Sequence, residues 1–307
     1  MSEILVVTCP SGKQCSYLLP LLYNKGKFQL RLAAHSESSA ARLREKYPDA
    51  EVVQVDLASA AACAGLLRGA TSVYHVGPSL SSREKEIGFN MVDAAAAEAA
   101  RPGSAFAHFV FSSVHTTQHR MLMQHDLKSY VEERLFLSPL PYTVLQPTNF
   151  LEYPVRALAA QDRPVFERMW DPETPNSVIA LRDLAEAAAT VLVGREAHYL
   201  AQYPLCSTLP VSDAEIARAI GRAIGRTVEV RKPSYEEGVS LGIQYLYDGK
   251  GAAEGDPRPD ICRDGMERLI LFYNHRGLRG SPNVLRWLLG REPTTVDEYI
   301  KLELEAA

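Results

Sequence analysis

Residues 4–20, ILVVTCPSGKQCSYLLP, decide the fold. The apolar run at 4–8 reads as a buried strand, CPSG as a loop, and the stretch from 12 to 23 as a helix. A strand that turns through a short loop into a helix points uncapped backbone amides at whatever lies beyond the sheet edge, which is where doubly wound α/β folds hold phosphate. Such loops take glycine at three positions spaced by three, to turn sharply, to let backbone approach the anion and to pack helix on strand. Here those positions hold Cys9, Gly12 and Cys15, so only the central glycine is kept. A left-handed backbone at Cys9 costs roughly 1–2 kcal/mol, worth about tenfold in affinity if the strain arose only on binding.

Outward from this stretch, strand-like and helix-like segments alternate. Strands are expected at 4–8, 28–35, 51–55, 71–76, 106–111 and 142–147, with helices at 12–23, 38–47, 59–68, 84–99 and 121–137. Alternation of this kind implies parallel strands joined by right-handed crossover helices, a doubly wound sheet covered on both faces. After Pro147 the rhythm breaks into a proline-rich stretch with Pro164, Pro172 and Pro175. A strand and helix follow in SVIALRDLAEAAATVLVG, with Asp183 near the helix start. Then come a helix capped by Ser212 and closed by glycine, a strand in TVEVRKP, and a loop at 249–260. The expected organisation is a Rossmann-like domain at 1–150 and a smaller substrate-side domain at 151–307. The boundary is soft, since later strands have room to rejoin the main sheet.

The chain has 307 residues, 46% hydrophobic and 23% charged, enough to bury a sizeable core and too apolar for disorder. A formal net charge of -4 gives no broad basic field, so a nucleic-acid partner is not indicated. No apolar run reaches the roughly 20 residues a membrane helix needs, and the first residues do not read as a secretory leader. The five cysteines, Cys9, Cys15, Cys63, Cys206 and Cys262, are scattered without CxxC or Cys/His ligand spacing, which fits a reducing cytoplasm and no zinc site. His115, His119 and His125 stand four and six residues apart without a carboxylate in ligand register, so no metal is expected. A GxSxG elbow is absent, which argues against a serine hydrolase.

The tip of the second strand reads the adenosine ribose in such folds, with an acid favouring NAD and a base favouring NADP. LRLAAHSESS places Arg31 within the strand, then His35 and Ser36 at its end, and nothing acidic there, so NADP(H) is the expected cofactor; His35 reads equally well as an ordinary loop histidine. Asp56, in QVDL after the third strand, has the place from which a side chain meets the adenine edge.

TCPSGKQ, QVDL, FSSV, KSYVEERL, YTVLQPTNFLE and the late GLRGSPNVLRWLLGREPTTVDEYI together make the chain resemble the NmrA-like branch of the atypical short-chain dehydrogenases over nearly its whole length. The resemblance implies a Rossmann-like N-terminal domain, a smaller C-terminal part and NADP(H) in the cleft between them. The strand ends and first loop put Thr8, Ser11, Gly12, Lys13, Gln14, His35, Ser36, Asp56, Gly77, Pro78 and Ser113 along the expected dinucleotide, and the resemblance adds Lys128, reaching the nicotinamide ribose. Two departures stand out. The glycine loop is degraded, and the Tyr-x-x-x-Lys pair of ordinary short-chain dehydrogenases is missing, since Gln124 stands four residues before Lys128. The literal match at Tyr23 and Lys27 falls at the end of the first helix, the wrong context for catalysis.

Lys128 lies beside the apolar side of its helix, marked by Val131 and Leu135. His125, one turn earlier, is a candidate proton carrier in place of the tyrosine, against the plainer reading of a helix-surface histidine. His115 is a second candidate. Tyr74, Asn149 and Tyr153 follow or border strand ends and are expected to face the substrate, while His75 within a strand reads as a satisfied core residue. The leading functional expectation is an NADP(H)-dependent oxidoreductase acting on a small aromatic or polyketide-like metabolite of secondary metabolism. Two others stand beside it: a cofactor-independent isomerase, ring-opening enzyme or cyclase, favoured by the degraded loop, and a non-catalytic NADP(H)-sensing regulator, favoured by the missing tyrosine.

Overall fold

The computed structural model describes residues 3–78, 81–246 and 258–306; of the loop expected at 249–260, residues 249–257 lie outside the described residues and 258–260 open a helix. The first half alternates as β1 (Glu3–Thr8), α1 (Lys13–Leu22), β2 (Phe28–Ala34), α2 (Glu37–Lys46), β3 (Glu51–Gln54), α3 (Ala60–Leu67), β4 (Ser72–Val76), α4 (Glu84–Ala99), β5 (His108–Ser112), α5 (Met123–Phe136) and β6 (Tyr142–Pro147). The chain continues through β7 (Asn149–Phe150), α6 (Val155–Ala159), β8 (Val165–Glu167), β9 (Val178–Ile179), α7 (Leu181–Gly194) and a turn of 3-10 helix (Arg195–His198). It ends with β10 (Ala201–Leu205), α8 (Asp213–Ile224), β11 (Glu229–Arg231), α9 (Tyr235–Leu246), α10 (Arg258–His275), α11 (Asn283–Leu289) and α12 (Val296–Glu305). Two compact units result. One holds residues 1–120, 124–147 and 184–204, and the other residues 121–123, 148–183 and 205–307.

The first unit carries a seven-stranded sheet in the order β10-β6-β5-β4-β1-β2-β3, a Rossmann-like α/β arrangement. Strands β1 to β6 pair in parallel, with Val7 opposite Tyr74 and Ser112 opposite Leu145 in the register. Leu5, Val6, Val7, Phe109, Val110 and Phe111 are fully buried because strands covered on both faces have no wet side. The chain steps outward from β1 to β3 and returns to β4 on the other side of β1, so the strand order reverses between β1 and β4. The crevice beyond their C-terminal ends is the place this topology offers a ligand.

Helices α4 and α5 approach closely at one point. Gly88 faces Val131, and a Cβ added to Gly88 would fall inside the Val131 methyls. Glu84 lies one turn before Gly88, and Lys128 one turn before Val131, so this contact also sets the spacing of those two side chains.

In the second unit β7 pairs with β9 and β8 with β11, both in parallel. Its core gathers Leu151, Tyr153, Phe166, Ile216, Ile220, Tyr299 and Ile300. The expected cap of α8 is a full capping box: Ser212 Oγ accepts from Glu215 N at 3.1 Å and Glu215 Oε2 accepts from Ser212 N at 2.8 Å. Gly225 ends this helix in the left-handed region. Asp183, fully buried at the start of α7, accepts from Ser207 Oγ at 2.7 Å, from Thr294 N at 2.7 Å and from Arg291 Nη2 at 2.8 Å, fastening the C-terminal segment.

Gly88→Ala is expected to destabilise the protein by about 1–3 kcal/mol through overpacking against Val131, read from the midpoint of urea unfolding. An unchanged midpoint would mean that α4 and α5 do not meet at this residue.

Candidate functional site

The loop after β1 adopts the turn that its missing glycine would have eased. Cys9 sits at φ 49°, in the left-handed region. Its carbonyl accepts from Gly12 N at 2.9 Å, and a Cβ on Gly12 would lie 3.1 Å from that oxygen, so Gly12 is what lets the turn close. The left-handed geometry belongs to the folded chain, so its cost falls on folding rather than on binding. Cys15 is fully buried, with Sγ 3.6 Å from the Thr8 carbonyl, and its thiol fills the space where helix and strand pack. Burial raises the Cys9 thiol to about 11 and pushes that of Cys15 higher, so both are neutral at pH 7 and add no charge against an anion. Gly12 caps α1 without a side-chain bond, and the first turn of α1 holds no acid. The positive end of the helix dipole therefore meets neither a capping side chain nor a first-turn acid, which fits a phosphate.

The second element is a buried ion pair. Lys128 of α5 donates its ammonium to Glu84 Oε1, with side-chain exposures of 12% and 1%. Glu84 Oε2 is buried without a hydrogen-bond partner among the described residues. Burial pushes the Glu84 carboxyl upward, and the Lys128 charge and hydrogen bond pull it back only in part. A Cβ at Gly77 would stand 2.5 Å from Glu84 Oε1, so the missing side chain at Gly77 makes room for Glu84. Gly77 and Pro78 were expected to bring backbone to the cofactor; the close neighbour the structure shows at Gly77 is a carboxylate. Cys9 feels the charges of both Glu84 and Lys128, and His75 that of Lys128, so the ends of β1 and β4 and the two helices share one electrostatic neighbourhood.

Several expected cofactor residues are tied into the fold. Thr8 is fully buried: its hydroxyl donates to the Val76 carbonyl at 3.0 Å, accepts from Val76 N at 2.8 Å and lies 3.0 Å from His75 Nδ1. The Tyr74 side chain, expected to face substrate, is 1% exposed and its hydroxyl lies 3.4 Å from Gln14 Oε1, which also accepts from Ser112 Oγ at 2.7 Å. Both are sheet side chains because β1 and β4 are central strands. His75 has its ring stacked on Phe111 and, buried, is lowered to about 3. At the tip of β2, His35 is exposed and Ser36 caps α2 by accepting from Ser39 N. Ser39 Oγ donates to Ser11 Oγ at 3.1 Å, joining this tip to the first loop. Arg31 pairs with Glu51 at 2.6 Å and faces away from the ribose-reading role. Lys13 is exposed, and Asp56 accepts from Ala58 N at 2.9 Å in a local turn. Tyr23 donates to Asp49, and Lys27 to the Val193 carbonyl, so the literal Tyr-x-x-x-Lys match is structural.

Around the third loop, Ser113 donates to Glu132 Oε1 at 2.5 Å, where Gln146 Nε2 also donates at 2.9 Å, and Thr117 donates to Oε2 at 3.0 Å. Glu132, one turn after Lys128, is thus the anchor of that loop, and the Ser113 hydroxyl is committed to it. His125 is not on the helix surface. It is 1% exposed, its Nδ1 lies 3.0 Å from the Thr116 carbonyl, and burial lowers it to about 4. His115 and His119 are close enough to act on its charge, so the fold does gather the three histidines. Among the described residues no group of three or more His, Cys, Asp or Glu is placed to hold a metal.

In the second unit, the Tyr153 hydroxyl donates to Asp213 Oδ1 and accepts from Arg168 Nη2 at 3.2 Å. Arg168 also donates to Asp213 Oδ2 at 3.0 Å, and its guanidinium lies over the rings of Tyr153, Phe166 and Trp170. Tyr153 is therefore part of a closed polar knot. Asn149 Oδ1 accepts from Tyr273 at 2.8 Å, while its Nδ2 is buried without a partner among the described residues. Glu84, Glu132 and the Arg168–Asp213 knot were not foreseen. For Glu84 the available signal was an acid in the first turn of a helix, which ordinarily reads as exposed.

The NmrA-like family model matches residues 1–248. No curated protein gives a sequence match. Among solved structures, the chain is similar to an NADPH-dependent quinone oxidoreductase from Escherichia coli complexed with NADPH, with a TM-score of 0.74 at 18% identity, covering 98% of this chain and 99% of that one. It is equally similar to the triphenylmethane reductase of Citrobacter sp. complexed with NADP(H), TM-score 0.74 at 17% identity over 98% and 99%. The negative transcriptional regulator NmrA in complex with NADP gives 0.73 at 17% identity over 99% and 97%. At these identities the likeness is one of fold. Among the described residues no helix is long and apolar enough to cross a membrane.

Two outcomes follow from the site geometry. Cys9→Gly is expected to raise stability by up to about 1 kcal/mol by removing side-chain strain at a left-handed residue, whereas Cys9→Val lowers it; unfolding midpoints of both variants check this. A histidine held at about 4 in the fold and 6.5 when unfolded takes up its proton on unfolding, so it makes stability fall as pH drops across that window. His125→Gln is therefore expected to remove up to about 1.4 kcal/mol per pH unit of that slope, seen as wild-type and variant stabilities diverging less in acid than at pH 7.

Proposed function

The chain belongs to the NmrA-like family, and from that premise we propose that it is an NADP(H)-dependent oxidoreductase acting on a small aromatic or polyketide-like metabolite. The observation that carries the reading is Lys128, fixed on the inner side of α5 in the neighbourhood of the β1 loop and the end of β4. In this reading the uncapped start of α1, with Ser11, Gly12, Lys13 and Gln14, meets the pyrophosphate. His35 and Ser36, both exposed, stand where a 2′-phosphate is read, and Lys128 holds the nicotinamide ribose. When bound, NADPH supplies the hydride.

The missing tyrosine narrows the substrate. A simple ketone becomes a strongly basic alkoxide as hydride arrives and needs a proton from the protein in the transition state. A quinone or other conjugated aromatic acceptor spreads the incoming charge and can take its proton from water afterwards. Lacking a phenol beside Lys128, this protein suits the second class. His125, lowered to about 4, is neutral at pH 7 and a poor acid, which leaves His115 as the histidine to test for proton transfer. The left-handed turn already present at Cys9 weakens the case for a cofactor-free enzyme, whose main support was the degraded loop. The NADP(H)-sensing alternative, favoured by the missing tyrosine, gains a second support in the neutralisation of Lys128 by Glu84.

Titration of the protein with NADPH, followed by its fluorescence, is expected to give micromolar binding, and addition of quinones or conjugated aromatic acceptors to oxidise the bound NADPH. Lys128→Ala is expected to weaken binding about tenfold, the value of one charged hydrogen bond. Binding without oxidation of NADPH by any acceptor would assign the sensing role, and no binding at all would sink both readings.

A further inference from the structure

We infer that Glu84 determines how strongly the crevice at the ends of β1 and β4 takes an anionic dinucleotide: ionised, it neutralises Lys128 in place, and protonated, it releases the ammonium to the ligand. The inference rests on the cofactor reading above and adds a residue which that reading does not use.

Three features of the structure support it. Glu84 is 1% exposed, and one carboxylate oxygen is held by Lys128 while the other, Oε2, has no partner among the described residues. A half-satisfied buried carboxylate is costly as an anion, and Oε2 is the open position for a proton. Its charge is felt at Cys9, within the loop that faces the phosphates. The surrounding groups leave Glu84 as the one that titrates. From the β1 loop, Cys9 stays a neutral thiol, raised to about 11. From β4, Gly77 offers only backbone and His75, lowered to about 3, stays neutral. From α5, Lys128 is the paired cation. On the same turn of α4, Arg83 and Glu86 are exposed and paired with each other at 2.8 Å. The Glu84 carboxyl itself is pushed upward by burial, against the lowering pull of Lys128. The sign follows: a raised carboxyl pKa means that lowering the pH adds the proton at Oε2, removes one negative charge from the crevice and favours the anion.

The test compares NADP+ affinity of wild type and Glu84→Gln by calorimetry from pH 5.5 to 8.5. The ratio of the two dissociation constants at each pH cancels the titration of the ligand's own 2′-phosphate. At pH 8 the variant is expected to bind about tenfold more tightly, the order expected for one nearby charge at a partly screened site. The ratio is expected to fall toward one as the pH is lowered, and Glu84→Asp to keep the wild-type trend. An infrared band of a protonated carboxyl, growing in the wild type as pH falls and missing from Glu84→Gln, gives a second readout without ligand. A ratio of one at every pH, or weaker binding by Glu84→Gln at pH 8, overturns the inference and leaves the cofactor reading standing. Failure of both proteins to bind NADP+ at any pH overturns both.

Discussion

A carboxylate and an ammonium held together out of water, Glu84 and Lys128, constrain everything around them. Removing each ion from solvent costs several kcal/mol, and their attraction recovers this only in tight geometry with the remaining lone pairs satisfied. The geometry is supplied by absent side chains. Gly88 lets α4 close onto Val131 of α5, and Gly77 leaves the volume that Glu84 occupies. The amino end of α4 adds its dipole to the carboxylate. The lone pairs are not all satisfied, since Oε2 has no partner among the described residues. A pair that is geometrically fixed but electrically incomplete is poised to respond to an incoming charge or proton.

The first loop works by a comparable exchange of one solution for another. A glycine would reach φ 49° without strain, whereas Cys9 reaches it because the Gly12 amide bonds its carbonyl and the surrounding fold over-determines the turn. At the third position a glycine would pack by being small; Cys15 packs by being a small apolar group with its sulfur against the Thr8 carbonyl. The loop therefore keeps its shape and its helix start without a side-chain cap, with thiols at two of its three glycine positions.

Much of the fold was legible because its strands are continuous apolar runs and its helices carry ordinary caps. The six parallel strands and five helices of the first 147 residues lie within a few residues of where hydrophobic patterning puts them, and Ser212 and Gly225 bound α8 as their chemistry implies. The seventh strand was not read, because AQYPL carries glutamine and proline and has no strong strand pattern; as an edge strand it tolerates both. The candidate site was legible in its loops and less so in its partners. Lys128 could be placed on the inner side of α5 from Val131 and Leu135, but the burial of His125 and the anchoring of Ser113 by Glu132 depend on the loop that α5 packs against. Glu84 looked like one of many acids at a helix start, and only the tertiary approach of α5 makes it a buried one.

The two residues expected to meet substrate in the second unit separate on the same physical ground. The Tyr153 hydroxyl both donates to Asp213 and accepts from Arg168, and its ring stacks on Phe166 with centroids 5.3 Å apart, so every polar and apolar face is engaged. Among the described residues Asn149 is engaged only at its oxygen, by Tyr273, whose ring stacks on Trp170 at 4.5 Å. An amide nitrogen buried without an acceptor costs about 1–3 kcal/mol, a penalty that packing alone does not require here, since an apolar side chain of similar size would avoid it. Of the pair, Asn149 is the one whose chemistry the fold leaves unfinished, and Tyr153 is the one that holds the knot beside it in shape.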